Sequence, residues 1–289
     1  MKDEISQAEW TRSAYQPSLT ADMEIEPAIA SQVPCSLQPH AIQARMPLMC
    51  GRYTLTRPGE VLDETLESLD GFELPGASKT PGPSQTELSE ELLSPRYNAA
   101  PTQTLPIVRI EAGRPIVRAG RWSLTGSGGR PLINARSETV ADKPSFRNAF
   151  RQRRCLIPAD GFYEWRPDGN RQPFYFHRPG NAGFCFAGLW QDPGSGPVAH
   201  DGPEFCIVTA NAGPWMAEVH HRRPLILDPS MHARWVDPTC NADEVLKAAL
   251  DQDPTLERHP VDFNVNRIVN DDTSLLDEVR EAPQNLSLF

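Results

Sequence analysis

The sequence predicts an α+β fold, a β-rich single domain with short strands in a barrel-like sheet arrangement and a few peripheral helices. Three observations point there. Short apolar runs recur along the 289 residues, and none approaches the ~18 apolar residues that a membrane span needs. Gly, Pro, Asn and Ser clusters separate these runs at strand-like intervals. Helical periodicity is confined to a few brief segments.

Residues 1–48 mix Glu4, Glu9, Asp22, Glu24 and Glu26 with many Gln, Pro and Ala. A secretory signal needs a basic start and a continuous apolar stretch, and a transit peptide is Arg-rich and acid-poor. This stretch therefore reads as a disordered leader or as the upstream extension of a misassigned start. Residues 52–55 begin a strand that Arg57-Pro58-Gly59 ends, and Val61, Leu62, Leu66 and Leu69 fall at helical spacing over 60–69. Residues 71–95, rich in Pro, Gly, Ser and Glu, read as a flexible acidic insertion inside one domain.

From Tyr97 the pattern tightens. Residues 98–102 predict a turn, and 105–110 with 115–119 a hairpin around Glu111-Ala112-Gly113-Arg114. Trp122 and Leu124 open another short strand, 132–136 is a strand, and 144–153 is a helix with Phe146 and Phe150 on one face. Strands follow at 155–158, 162–165, 173–177, 184–189 and 205–210, the last two separated by a Gly/Pro loop at 193–203. Residues 214–219 make a helical turn, 225–227 a strand, 230–235 and 242–250 helices, the first with Ser as its N-cap signal. Residues 261–269 read as a strand and 276–289 as a tail, so the catalytic domain is expected over 49–275.

The cysteines at 35, 50, 155, 185, 206 and 240 form no C-x-x-C pair and no Cys/His cluster at zinc spacing, so neither metal nor cofactor is expected. Without a secretory signal, an intracellular reducing compartment is expected, nuclear in a eukaryote and cytoplasmic in a bacterium. Cys155, Cys185 and Cys206, within apolar runs, read as small buried hydrophobes. The net charge of -10 argues against nucleic-acid binding, but residues 96–180 hold fifteen Lys/Arg against six Asp/Glu, about +9 against about -19 elsewhere. A basic middle third either binds phosphate or is an ordinary solvated surface. Phosphate-loop, serine-hydrolase and zinc-protease motifs are absent from the sequence.

Cys50 follows Met49 where the leader gives way to β-prone sequence. If translation begins at Met49 and that residue is trimmed, Cys50 carries an α-amine and a thiol on adjacent carbons, which together close a thiazolidine ring on an aldehyde. Internal to the chain, its nitrogen is an amide and does not. Asn134 lies among apolar neighbours, where a buried amide must find partners. Arg136 offers a guanidinium fork suited to phosphate or to a surface ion pair. Glu164 sits between Tyr163 and Trp165, either facing outward or shuttling protons with a raised pKa. The cations beside His220, in His220-His221-Arg222-Arg223, favour its neutral imidazole; in a strand the two histidines would face opposite ways. His177, His200, His232 and His259 receive no role.

Together MCGRYTL, RYNAAPTQTLPIV, INARSET, CLIPADGFYEW and VHHRRPLIL, in this order from about Met49 to about Asn270, resemble the SRAP family of SOS-response-associated, abasic-site-processing proteins. The resemblance implies a monomeric domain that grips single-stranded DNA and captures an abasic site covalently through the amine and thiol of Cys50. It casts Asn134 as a hydrogen-bond donor to the cysteine or sugar, Glu164 as the proton carrier and His220 as its assistant. Arg52, Asn98 and Pro101 match family positions near the DNA path, Arg136 is cast as holding a flanking phosphate, and Trp122 is a further DNA-binding candidate. Partners at a replication fork are compatible with this reading. The chain departs from the family pattern in the 49 residues before Cys50, in the absence of a Pro-Trp segment after Trp122, and in His221 where an Asp is common. Two rival readings use the same residues. One is a thiol peptidase that removes its own leader with Cys50, Glu164 and His220; the other is a non-covalent reader of modified bases that stacks them on Trp122, Tyr163 and Trp165.

Overall fold

A computed structural model describes residues 50–75, 89–167, 169–193 and 202–281. The leader, residues 76–88 of the acidic insertion, most of the loop at 193–203, Cys35, His200 and residues 282–289 of the tail lie outside the described residues.

Along the chain, β1 (Tyr53–Leu55) leads to α1 (Pro58–Glu67), β2 (Arg96–Ala99) and the hairpin of β3 (Thr104–Glu111) and β4 (Arg114–Trp122). Short strands β5 (Leu124–Thr125), β6 (Pro131–Leu132) and β7 (Asn134–Arg136) precede α2 (Arg147–Gln152). Next come β8 (Arg154–Ala159), β9 (Gly161–Trp165), β10 (Pro173–His177), β11 (Phe184–Gln191) and β12 (Glu204–Asn211). The chain continues through α3 (Pro214–Ala217), β13 (Arg222–Pro224), β14 (Ile226–Leu227), α4 (Pro229–Val236), α5 (Ala242–Leu250) and β15 (Glu257–Pro260).

Local chemistry explains several of these boundaries. Pro58, read as a strand terminator, is also the first residue of α1, where its missing N–H costs nothing. Ala112 and Gly113 both take positive φ (50° and 84°), the left-handed pair that a two-residue hairpin between twisted strands requires. The cap of α4 is Asp228, whose carboxylate accepts the Ser230 N–H at 3.0 Å, rather than the serine itself.

Strands β4, β3, β8, β11 and β12 pair in succession, and β12 pairs with both β11 and β4, which closes the ring. The barrel-like sheet therefore has no open edge along this circuit. Strands β13, β14 and β7 extend it, and a second sheet runs β15-β10-β9-β1-β2. Tyr53, Trp122, Phe162, Phe176, Phe186 and Phe205 pack together as one apolar core. Each such aromatic contributes roughly 1.5–3 kcal/mol by leaving water. A second core joins the helices to the sheet through Leu62, Phe150, Leu156, Leu189, Trp235 and Val245. Gly188 has no room for a side chain, since a Cβ there would meet Cys155 Sγ and Ile157 at 2.7 Å.

Buried Arg154 ties the helices down. Its guanidinium donates to the carbonyls of Phe150 (2.8 Å), Arg151 (3.0 Å) and Trp235 (2.5 Å), and to that of Asp237, satisfying the carbonyl ends of α2 and α4 with one cation.

Three expectations are corrected. Asn98 and Ala99 belong to β2 rather than a turn, because β2 pairs with β1 (Tyr53 opposite Ala99) and the chain reverses only after Ala99. The segment 261–269 is not a strand: β15 precedes it, and residues 263–266 form a 3-10 turn capped by Asp262. The tail expected from 276 stays attached through 281, with Val279 N–H donating to Pro260 O and Glu281 pairing with Arg166 at 3.1 Å.

Replacing Arg154 by Met keeps the volume but orphans several buried carbonyls. Urea denaturation is expected to show a loss of about 3 kcal/mol with an unchanged m-value.

Candidate active site

Cys50 enters the fold just before β1, and the β1–β9 register (Tyr53 opposite Phe162, Thr54 opposite Gly161) carries it alongside Glu164. That register depends on Gly161, where a Cβ would lie 2.1 Å from the Tyr175 hydroxyl. The Cys50 N–H donates to Glu164 Oε1 at 2.7 Å, and the same carboxyl is close enough to the Cys50 thiol to raise its pKa. Asn134, on β7, donates from Nδ2 to Cys50 O at 3.4 Å. His220, in the bend between α3 and β13, places Nδ1 3.8 Å from Glu164 Oε2. Residues from four separate stretches of chain thus meet at the Cys50–Glu164 pair.

Glu164 is fully buried, which excludes the outward-facing alternative. Burial raises its pKa from 4.5 to about 8, opposed by hydrogen bonds from Cys50 and from the Trp165 backbone. Burial also pushes the Cys50 thiol well up, and the Glu164 charge adds to the push, so the resting group is a thiol rather than a thiolate. His220 is held below its ordinary value, first by burial and then by His221 and Arg222, and so is the neutral imidazole expected from sequence. The two histidines do not sit in a strand, and their rings lie 4.6 Å apart. A carboxyl group that titrates near neutral pH, between a thiol and the nitrogen two bonds from that thiol's carbon, is equipped to move protons on either atom.

Beside this cluster is a cleft of about 230 Å³ lined by Gly51, Arg52, Trp165, Arg171 and Asn266. Of the residues expected to meet DNA, Arg52 lines this cleft, Arg136 is exposed two residues beyond Asn134, and Pro101 is half-buried in the turn after β2. Two of the expected contacts are corrected. Trp122 is wholly buried, donates Nε1–H to Ile133 O at 3.0 Å and packs on Tyr53 and Phe205, so it presents no face for a base. Asn98 is equally buried, its amide spent on the carbonyls of Val265, Arg267 and Asn270. Tyr163 is buried too, which leaves Trp165 alone of the three proposed stacking aromatics at a cleft.

Sequence reasoning missed Arg171, Asn266, Arg222 and Glu138. Arg222 is buried and grips Glu138 with two hydrogen bonds (2.5 and 3.1 Å), Asn211 Oδ1 at 2.7 Å and Thr209 O at 2.7 Å, while its backbone N–H meets His220 Nδ1 at 3.2 Å. The adjacent cations in His220-His221-Arg222-Arg223 were a usable signal, because a second arginine beside a catalytic-type histidine needs a partner once buried. Nothing local marks Asn266, which reaches the cleft only through the fold.

Because Glu164 binds its proton more tightly when folded, its contribution to stability is fully present below about pH 4.5 and is lost as pH rises through about 8. Glu164→Gln is expected to flatten that decline and to raise the melting temperature above pH 8 by several degrees. Thermal unfolding of both proteins from acid to alkaline pH checks this; parallel curves would show that the carboxyl carries no raised pKa.

Residues 49–268 match the family described as SOS response associated peptidase (SRAP). The chain is 30% identical over 243 residues to the abasic site processing protein YoaM of Bacillus subtilis, covering 79% of this chain and 98% of YoaM. It is 31% identical over 153 residues to the abasic site processing protein YedK of Escherichia coli, covering 52% of this chain and 68% of YedK. A solved structure of a Bacteroides thetaiotaomicron protein aligns with a TM-score of 0.62 at 18% identity, over 80% of this chain and 100% of that one, a likeness of fold alone. With the family match spanning most of its length and the order of its motifs preserved around the Cys50–Glu164 cluster, the chain belongs to the SRAP family.

Proposed function

We propose that the protein processes abasic sites in single-stranded DNA, and that it does so by forming a thiazolidine crosslink through Cys50 once that residue is the first of the chain. The observation that carries this reading is the 2.7 Å hydrogen bond from the Cys50 nitrogen to Glu164. After processing, that nitrogen is the α-amine. The names of YoaM and YedK support the substrate, and the arginine-lined cleft beside Gly51 supports a polyanionic strand.

The chemistry follows from the geometry. The Glu164 carboxylate takes a proton from the α-ammonium of Cys50, freeing the nitrogen lone pair to attack the C1′ aldehyde of the ring-opened sugar. The resulting carbinolamine loses its hydroxyl as water, with the protonated carboxyl returning the proton to the leaving oxygen. The thiol then adds to the imine carbon, its proton passes to the nitrogen through Glu164, and the five-membered ring closes with one water lost overall. Asn134 holds the Cys50 carbonyl during these steps, and neutral His220 accepts or returns a proton beside Glu164 Oε2.

A second reading concerns the bond before Cys50. Cys50 has φ of 38°, left-handed backbone that a non-glycine residue adopts under strain, at the junction where an N-terminal cysteine must be released. We infer self-processing: Sγ attacks the preceding carbonyl carbon, Glu164 protonates the departing Cys50 nitrogen, and water hydrolyses the thioester. The non-covalent base reader loses support because Trp122 and Tyr163 are buried.

Intact-mass spectrometry after incubation with single-stranded DNA carrying one abasic site tests the proposal. A chain that begins at Cys50 is expected to gain the DNA mass less one water, and an uncleaved chain from Met1 to gain nothing. An uncleaved chain that still crosslinks would rule out the α-amine. In the Cys50-initiated chain, Cys50→Ser should give only an adduct that needs borohydride trapping. Glu164→Gln should slow crosslinking by roughly 10²- to 10³-fold and abolish the turnover of rate with pH.

A further inference from the structure

The loop at 263–270 is tied down by hydrogen bonds to its backbone and exposes three large apolar side chains among polar ones. Asn98 Nδ2 donates to the carbonyls of Val265 (3.1 Å), Arg267 (3.1 Å) and Asn270 (2.9 Å). Arg52 Nη1 donates to Val265 O at 3.0 Å, and Asn270 Nδ2 closes the loop on Asn264 O at 2.8 Å. Val265 is buried against Tyr163, Tyr175 and Val261. On this fixed backbone Phe263, Ile268 and Val269 are exposed by 39%, 48% and 81%, three of the five large exposed apolar side chains among the described residues. Folding does not require them there, and clustered exposed apolar groups mark contact surfaces.

The same loop forms one wall of the cleft beside Cys50. Asn266 lines that cleft, and its Oδ1 accepts the Trp165 Nε1–H at 2.8 Å. Arg52 and Arg171 line it with Gly51, and exposed Arg267 stands between Asn266 and Ile268. The nearby acids are engaged locally: Asp262 caps the 3-10 turn, Asp271 accepts the N–H groups of Tyr97 and Asn98, and Asp272 accepts that of Ser274. Exposed Arg267, Ile268 and Val269 thus follow directly on the cleft-lining Asn266, and two arginines line the cleft itself.

We propose that Phe263, Ile268 and Val269 form an apolar ridge that packs against the bases flanking the abasic site, while Arg52, Arg171 and Arg267 take the phosphates. The inference rests on the DNA reading of the same cleft. Charge complementarity and continuity with that cleft select this occupant. Apolar side chains on a rigid support are the type that wedge against base steps, and a preorganised loop orders nothing further on binding. The ridge also answers a deficit, since Trp122 and Tyr163 are buried and offer no stacking face.

The test uses the full chain and single-stranded DNA carrying the unreactive tetrahydrofuran analogue of an abasic site, so that no covalent step enters the measurement. Ile268→Ser combined with Val269→Ser changes only exposed side chains and is expected to weaken binding roughly tenfold by fluorescence anisotropy. Ile268→Trp is expected to bind at least as tightly as wild type. With baseless spacers on both sides of the analogue, wild type should drop to the level of the double variant, and the double variant should not change. Equal affinity of wild type and double variant on base-flanked DNA overturns the ridge, as does an equal loss with and without flanking bases. Wild type that binds none of these DNAs overturns the DNA reading together with the ridge. A wild-type dimer in sedimentation that the double variant splits assigns the patch to a second copy of this chain and overturns the proposal.

Discussion

A carboxyl group with no exposure to solvent is the constraint on which the rest of the site depends. Leaving Glu164 buried and ionised would cost far more than a folded domain can spare, and burial accordingly raises its pKa. The Cys50 N–H meets one carboxyl oxygen and the His220 ring lies 3.8 Å from the other. Cys50, Glu164 and His220 are held by three different pieces of the fold, and the carboxyl is where those pieces meet. The same burial that makes Glu164 expensive raises its pKa toward the range in which proton transfer works at neutral pH.

The frame that tolerates this arrangement is stiff in the places that matter. A closed ring of five strands leaves few ways for β12 to move, and β12 aligns β7, which carries Asn134, and β13, which follows His220. Gly161 lets β9 slide under Tyr175 and brings Glu164 into register with Cys50. Arg222 connects the His220 bend to Glu138 and the end of β12, joining the second half of the site to the first. Asn98 does for the cleft what Glu164 does for the thiol: a buried polar group at the centre of a network fixes the position of a loop that is otherwise irregular.

How far sequence reaches is clearest in particular elements. The β3–β4 hairpin was legible because Ala112-Gly113 is a local turn code, and α5 because its apolar spacing is local as well. Residues 261–269 read as a strand because apolar residues at 261, 263, 265 and 269 look alike in a strand and in an anchored loop; side chains distant in sequence, the Asn98 amide and Arg52, hold the loop instead. Trp122 reads from sequence as a residue that contacts DNA, and the packing of Tyr53 and Phe205 against it buries the face a base would need.

The amino-acid sequence by itself determined the β-rich class, the presence and order of the family motifs, and the identities of Cys50, Asn134, Glu164 and His220, since composition, periodicity and motif order are properties of the linear chain. Only the tertiary structure decided that Glu164 faces inward, that its carboxyl binds the Cys50 nitrogen, that Asn98 and Trp122 serve the scaffold, and that Arg171 and Asn266 share a cleft with Arg52. The physical reason is the same in each case. Burial and hydrogen-bond partnership are set by strand register and by contacts between residues far apart in sequence, and no local propensity encodes which side of a short strand will be covered.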